Sequence, residues 1–124
     1  MNKANFKEEL NKLLSTPVDG LSVEEKIAYV KDLLIIYQRA NEDSWDTSNK
    51  GKPWSDDELR IILQNAPTKE NCVLFAKAFK RGYGSIEQIY RWAVTPHQTI
   101  AEKRPDDAFI KQIKKIAKEV GIRA

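Results

Sequence analysis

The chain has 124 residues and very few of the side chains that build catalytic or metal centres. Cys72 is its single cysteine and His97 its single histidine. A lone cysteine excludes an intrachain disulfide, and a zinc site needs more cysteine and histidine ligands than these two residues supply. Helical spacing puts Cys72 on an apolar face, where a small core residue is a better interpretation than a nucleophile. We therefore expect no enzyme activity, no cofactor and no metal.

Long apolar runs are also missing. The candidate run at residues 33–36 has only four residues, and no run approaches the roughly 20 residues that a helix needs to span a bilayer. Glu8 and Glu9 interrupt the basic-then-apolar pattern of a signal peptide. The glycines at 82 and 84 lack the strand and lysine of a phosphate-binding loop, so no small-molecule substrate is evident. We expect a cytoplasmic protein without a membrane partner.

The charge is small but unevenly distributed. The net charge is +3; residues 1–53 carry 8 basic and 9 acidic side chains, whereas residues 54–124 carry 13 and 9. The basic excess of the second part favours an anionic partner there.

Residues 1–40 are predicted to form an N-terminal helical pair. A first helix covers about residues 5–14. Ser22 and Glu25 form a capping box that starts a second helix, which ends near Ala40. Its apolar stripe recurs at helical spacing: Ile27, Val30, Leu34 and Tyr37. Ile35 and Ile36 widen the stripe, so we expect burial on more than one side.

Residues 41–53 have the composition of a linker, with several turn-forming residues and little apolar content. Trp45 is the exception. A tryptophan in a polar loop usually packs back onto a core, and we expect this of Trp45.

Residues 54–94 are predicted to form three short helices. Ser55 and Glu58 make a capping box for the first helix, and Thr68 caps the second, which runs over about residues 69–80. The glycine-containing turn 81–84 follows. A further capping box, Ser85 with Gln88, is predicted to start the third helix, whose inward residues are Ile86, Ile89 and Ala93.

This three-helix segment resembles the Myb/SANT family of helix-turn-helix domains. Trp54 and Ser55, followed by acidic residues, look like the family's opening, and Arg81, Ser85 and Ile86 look like its turn into the third helix. The resemblance covers about residues 54–93. It implies a three-helix bundle whose third helix reads DNA in many members, whereas SANT relatives bind proteins such as histone tails.

The resemblance implies DNA contacts for the third helix, residues 85–93. Its outer face would carry Glu87, Gln88 and Arg91, with Arg81 and Ser85 at the turn before it. Glutamine pairs with adenine edges, arginine reaches guanine or phosphate, and glutamate can accept from cytosine N4.

Residues 95–124 are predicted to form a connector, up to about Arg104, and a C-terminal amphipathic helix with Pro105 in its first turn. Gly121 and Ile122 predict a Schellman stop. Two interpretations of this helix remain open. Either it packs its apolar face on the core and leaves its lysines in water, or the lysines extend a phosphate-binding surface: Lys111, Lys114, Lys115 and Lys118.

The sequence thus predicts an all-α fold, with a three-helix helix-turn-helix bundle, two N-terminal helices and one C-terminal helix packed on or beside it. The predicted function is DNA binding by a regulatory or accessory protein, as in transcription regulation. The alternative is a protein–protein interaction module or small structural adaptor, including a homodimer. The apolar 27–37 helix and the single cation in the third helix motivate that alternative.

Overall fold

The structure is a computed structural model and describes residues 1–123. Over that range the fold is all-α, as predicted, and no residue is in a strand. Within these described residues a short 3₁₀ turn, Glu42–Ser44, accompanies seven α-helices: α1 Lys3–Ser15, α2 Val23–Ala40, α3 Asp56–Leu63, α4 Lys69–Ala78, α5 Tyr83–Val94, α6 His97–Lys103 and α7 Ala108–Glu119. None of the helices in residues 1–123 is both long and apolar enough to cross a membrane.

Local caps begin three of these helices where the sequence predicts them. The Ser55–Glu58 capping box is present before α3, and the Thr68 hydroxyl accepts from the Asn71 N–H at the start of α4. Reciprocal bonds also join Ser22 and Glu25 before α2. Such caps satisfy backbone N–H groups that the first helical turn leaves without a partner.

The capping box predicted at Ser85 is wrong. Helix α5 begins two residues earlier, at Tyr83, and its N-cap is Gly82, whose missing side chain makes no capping bond. Ser85 therefore lies inside the first turn of α5. The Ser85–Gln88 spacing, which matches a capping box, therefore lies within α5 and does not mark its N-cap.

The corner between α4 and α5 is set by Lys80. Its φ of 57° is the one positive value among the non-glycine residues that the structure describes. This left-handed residue lets the Arg81 N–H donate back to the Ala76 carbonyl at 2.8 Å, which is the closing bond of a Schellman motif. Helix α4 therefore ends at Ala78, two residues before the predicted end.

The chain divides into two compact units, residues 1–36 and 37–124. Neither α1 nor α2 contains a buried residue. The prediction that α2 is buried on more than one side is therefore wrong: Ile27 and Leu34 of its apolar stripe are 44% and 57% exposed.

Four helices share the core of the second unit. Helix α5 packs against α3, α4 and α7, and α7 also packs against α3. The largest fully buried side chains come from three of these helices: Leu59, Ile62, Ile86, Ile89, Ile113 and Ile116. The core is thus completed by the C-terminal helix, because α3 and α5 each turn apolar surface toward α7.

The connector predicted after α5 contains a helix of its own. Helix α6 follows Pro96 and buries Ile100. Helix α7 begins at Ala108 with Asp107 as its N-cap, so Pro105 lies before it and not in its first turn. The Schellman stop at Gly121 is confirmed, since φ is 91° there and the Ile122 N–H donates to the Ala117 carbonyl at 2.9 Å.

Tyr90 should make the second unit sensitive to alkali. Its hydroxyl donates to the Ile62 carbonyl at 2.8 Å, and burial raises its pKa to about 12. An unfolded tyrosine ionises near pH 10. The raised pKa stabilises the fold by on the order of 2–3 kcal/mol. This stabilisation is complete below about pH 10 and is lost as pH rises toward 12.

The measurement is urea unfolding at about pH 9 and pH 11, followed by fluorescence, since all three tryptophans lie in residues 37–124. Tyr90→Phe should be less stable at the lower pH and lose less between the two. Equal losses in both proteins would show that Tyr90 does not carry the effect.

Lys80→Gly should stabilise the same unit. Glycine adopts a positive φ without the steric penalty that a Cβ adds, and we expect a gain of about 0.5–1 kcal/mol. The Lys80–Asp46 ion pair that would be lost is long, at 3.8 Å, and exposed, so its removal should matter little. Thermal unfolding of Lys80→Gly beside Lys77→Gly tests this, because Lys77 is inside α4, where glycine should destabilise.

Candidate nucleic-acid interface

Helix α5 has one buried and one exposed face. Ile86, Ile89 and Ala93 point into the core, as predicted. The opposite face exposes Gly84, Gln88 and Arg91. Nothing lies within 4 Å of a Cβ placed on Gly84, so another molecule can approach the helix backbone closely there. The exposed strip offers one amide and one guanidinium as hydrogen-bonding groups.

Glu87 lies beside this strip and is paired with two arginines. Its carboxylate is 3.1 Å from Arg91 and 3.9 Å from Arg39. The Arg39 guanidinium also lies over the Tyr83 ring, 4.4 Å from its centre. The last turn of α2 therefore adds a cation to the α5 surface. Sequence reasoning missed Arg39 because it assigned that residue to the N-terminal helical pair.

Two lysines lie at the N-terminal end of α5. Lys50 is paired with Glu42 at 3.2 Å, and both side chains lie against Gly82, where an added Cβ would clash with them. Lys52 lines a cleft of about 370 Å³ together with Ser85. We call Arg39, Lys50, Lys52 and Arg91 the basic rim of α5.

Within the second unit, hydrogen bonds join the segment that carries these lysines to the corner between α4 and α5. The Asn49 N–H donates to the Lys80 carbonyl at 3.0 Å, and the Asn49 side chain donates to the Phe79 carbonyl at 3.0 Å. The Trp45 indole donates to the Arg81 carbonyl at 3.0 Å, which confirms that Trp45 packs back. The rim lysines are thereby held near α5 by main-chain contacts.

Arg81 is inside the protein. Its side chain donates to the carbonyls of Lys52 and Pro53, and its guanidinium lies over the Trp54 ring, 4.0 Å from the centre. It is 3% exposed, and burial lowers its pKa. The exposed DNA contact predicted for Arg81 is therefore corrected: the side chain joins the 52–54 segment to the α4–α5 corner.

The four lysines predicted along α7 have different environments. Lys114 is buried and donates to the carbonyls of Ala93 and Thr95 at 3.1 and 2.8 Å, and burial lowers its pKa. Lys115 is exposed and paired with Asp56 at 3.0 Å, a hydrogen bond that raises the lysine pKa. Lys111 and Lys118 are exposed. Lys114 is thus a structural residue that satisfies the last carbonyls of α5.

Cys72 is buried on α4, as the helical spacing predicts. Burial raises the pKa of its thiol. A raised pKa keeps the thiol protonated, and the protonated form is a poor nucleophile.

The comparisons with known proteins identify a family without assigning an activity. Residues 48–124 match the family described as "Uncharacterised protein PM1205 C-terminal domain". The chain is 46% identical over 125 residues to "Uncharacterized protein PM1205" of Pasteurella multocida (strain Pm70), with 99% of each chain covered. No solved structure matches the chain. The chain belongs to the PM1205 family.

Arg81→Lys should destabilise the protein even though it keeps the charge. A lysine has no planar fork with which to donate to two carbonyls while lying on the Trp54 ring. Two hydrogen bonds and a cation–π contact are lost, and we expect a decrease of about 2–3 kcal/mol in the free energy of unfolding. Urea unfolding monitored by tryptophan fluorescence measures it, with Arg91→Lys as the exposed control. Equal stabilities of the two variants would contradict the structural role of Arg81.

Proposed function

We propose that this chain is a DNA-binding protein of the regulatory or accessory kind, and that it contacts duplex DNA through the exposed face of α5. In this proposal α3, α4 and α5 serve as the Myb-like helix-turn-helix and α5 is its third helix. The observation that carries the proposal is the exposed strip of Gly84, Gln88 and Arg91 beside the basic rim.

The strip suits the floor of the major groove. A helix that enters the groove needs support from behind and a polar outer face. Helix α5 has that support from α3, α4 and α7. Gln88 can make paired hydrogen bonds with an adenine edge, and Arg91 can do so with guanine. Gly84 adds no side chain that would hold the backbone away from DNA.

The basic rim suits the phosphates on either side of the groove. Phosphate neutralisation supplies much of the affinity of DNA-binding proteins, and α5 itself contributes only Arg91. Arg39, Lys50 and Lys52 add cations from outside the helix. Glu42 and Glu87 oppose them, so we expect moderate affinity that falls steeply with added salt.

Four single substitutions test this interface. Arg91→Ala should weaken binding to a labelled duplex about tenfold, and Lys52→Ala should reduce the slope of log K against log salt by about 1. Glu87→Gln should strengthen binding several-fold, because it removes a carboxylate that repels phosphate. Fluorescence anisotropy at low and moderate salt measures each change, with Lys69→Ala at the start of α4 as the control.

The Glu87 variant makes the test specific. General loss of structure weakens binding in every variant, whereas removal of Glu87 strengthens binding most if that carboxylate lies at the interface. The proposal fails if micromolar protein does not bind duplex DNA at low salt, or if Lys69→Ala weakens binding as much as Arg91→Ala.

A protein-interaction module or small adaptor is the second candidate function, and the exposed apolar surface of residues 1–36 favours it. Such a module would not need the basic rim. Neutralising Arg91 or Lys52 would leave its binding unchanged, and that result separates the two functions.

A further inference from the structure

The N-terminal unit presents far more apolar surface than an isolated helical segment normally leaves in water. Ten large apolar side chains of α1 and α2 within residues 1–36 are at least 41% exposed: Phe6, Leu10, Leu13, Leu14, Val23, Ile27, Tyr29, Leu33, Leu34 and Ile36. The polar contacts of Lys26 with the Leu14 and Thr16 carbonyls tie α2 to the end of α1, but they cover little of this surface.

The amount of surface fits an interface between proteins. The ten side chains, which lie on α1 and on more than one face of α2, expose on the order of 1,000 Å² in total, and each partner in a standard-size interface buries about 800 Å². Helical segments of fewer than about 40 residues generally need an additional source of stability, such as oligomerisation. A groove of about 600 Å³ between Leu14, Ile27 and Val30 could receive apolar side chains from a partner.

The charge pattern of α2 fits a second copy of the same helix. Val23, Ile27, Val30 and Leu34 recur at helical spacing and form an apolar stripe. Glu24 and Lys31 flank that stripe on one side. They are seven residues apart, so they differ in direction by only about 20° around the helix.

When two such helices associate in antiparallel orientation about a twofold axis, the same flank of each faces its own copy. An axis near Ile27 places Glu24 of one copy opposite Lys31 of the other, and the symmetry makes this pair twice. Residues 1–36 carry 5 basic and 6 acidic side chains, so two copies repel each other only weakly. We therefore propose that α1 and α2 form a dimerisation element in which two copies of α2 pair antiparallel through this stripe, with the two α1 helices completing a four-helix arrangement.

Ile27 provides a matched test because it lies nearest the proposed axis. It is 44% exposed on α2, and Ile61 on α3 is 46% exposed. Ile27→Glu should raise the dimer Kd about a hundredfold or more, because each dimer contains two buried copies of the new charge. Ile61→Glu adds the same charge at similar exposure and should leave Kd unchanged. Sedimentation velocity of the full chain over about a hundredfold range of concentration measures both.

Reversal of the flanking charges tests the antiparallel pairing without removing an apolar group. Glu24→Lys alone and Lys31→Glu alone should each raise Kd about tenfold, since each replaces two attractions with two repulsions. The double variant should return Kd close to the original value. Helix loss in either single variant would not be repaired by combining them, so the restoration reports on the pairing itself.

Three results would overturn the proposal. The first is a full chain that stays monomeric at about 100 µM, which would assign the stripe to a different protein. The second is a dimer that Ile27→Glu leaves intact, which would place the contact elsewhere. The third is a double variant no tighter than its single parents, which would exclude the antiparallel pairing. The measurement needs no DNA, so it is independent of the function proposed for α5.

Discussion

The second unit depends on the contacts that hold one buried cation. The Arg81 guanidinium has no carboxylate within bonding distance; two main-chain carbonyls and the Trp54 ring hold it, while its buried Nε–H has no hydrogen-bond partner. The Arg81 N–H donates to the Ala76 carbonyl at the end of α4, and the Arg81 carbonyl accepts a hydrogen bond from the Trp45 indole N–H. Four chain segments therefore meet at one residue. An uncompensated buried charge is unfavourable by several kcal/mol, so loss of either carbonyl or of the ring contact should be costly.

This constraint also positions the candidate interface. Arg81 immediately precedes the N-cap of α5, so the contacts that hold it determine where α5 starts. The same contacts hold residues 52 and 53, and Lys50 and Lys52 thereby stay beside the α5 N-terminus. A buried arginine thus supports an exposed basic rim without being part of it. The resemblance to a DNA-reading family had assigned Arg81 to the contact surface itself.

Much of the local structure could be predicted from sequence, because a cap involves residues only three to five apart. The boxes at Ser22 and Ser55 and the stop at Gly121 all depend on such short-range bonds. The box predicted at Ser85 is wrong for an equally local reason. Lys80 adopts a left-handed conformation, and a lysine gives no sequence signal for that conformation. Helix α6 was missed because it is short and buries only Ile100.

The candidate site was less predictable because its residues come from distant parts of the chain. Arg39 and Glu87 are separated by a predicted linker and two helices, and sequence periodicity carries no information about their contact. Lys114 shows that the burial of a charged side chain is also hard to predict from sequence. Its place among exposed lysines suggested a phosphate ligand, but the side chain lies within the core and donates to the end of α5. Exposure of a lysine cannot be inferred from the charge of its neighbours alone.

The role of α7 in the core determines the order in which this unit can fold. Helix α3 is synthesised early, yet Asp56 finds Lys115 only 59 residues later in the chain. Until α7 emerges from the ribosome, the apolar faces of α3 and α5 lack their shared partner, and the last carbonyls of α5 lack the Lys114 amine. The conformational entropy lost on closing a loop of this length precedes the contacts that compensate for it, so folding is slowed. The nascent chain should therefore pass through a stage in which the apolar faces of α3 and α5 that α7 later covers are exposed to water.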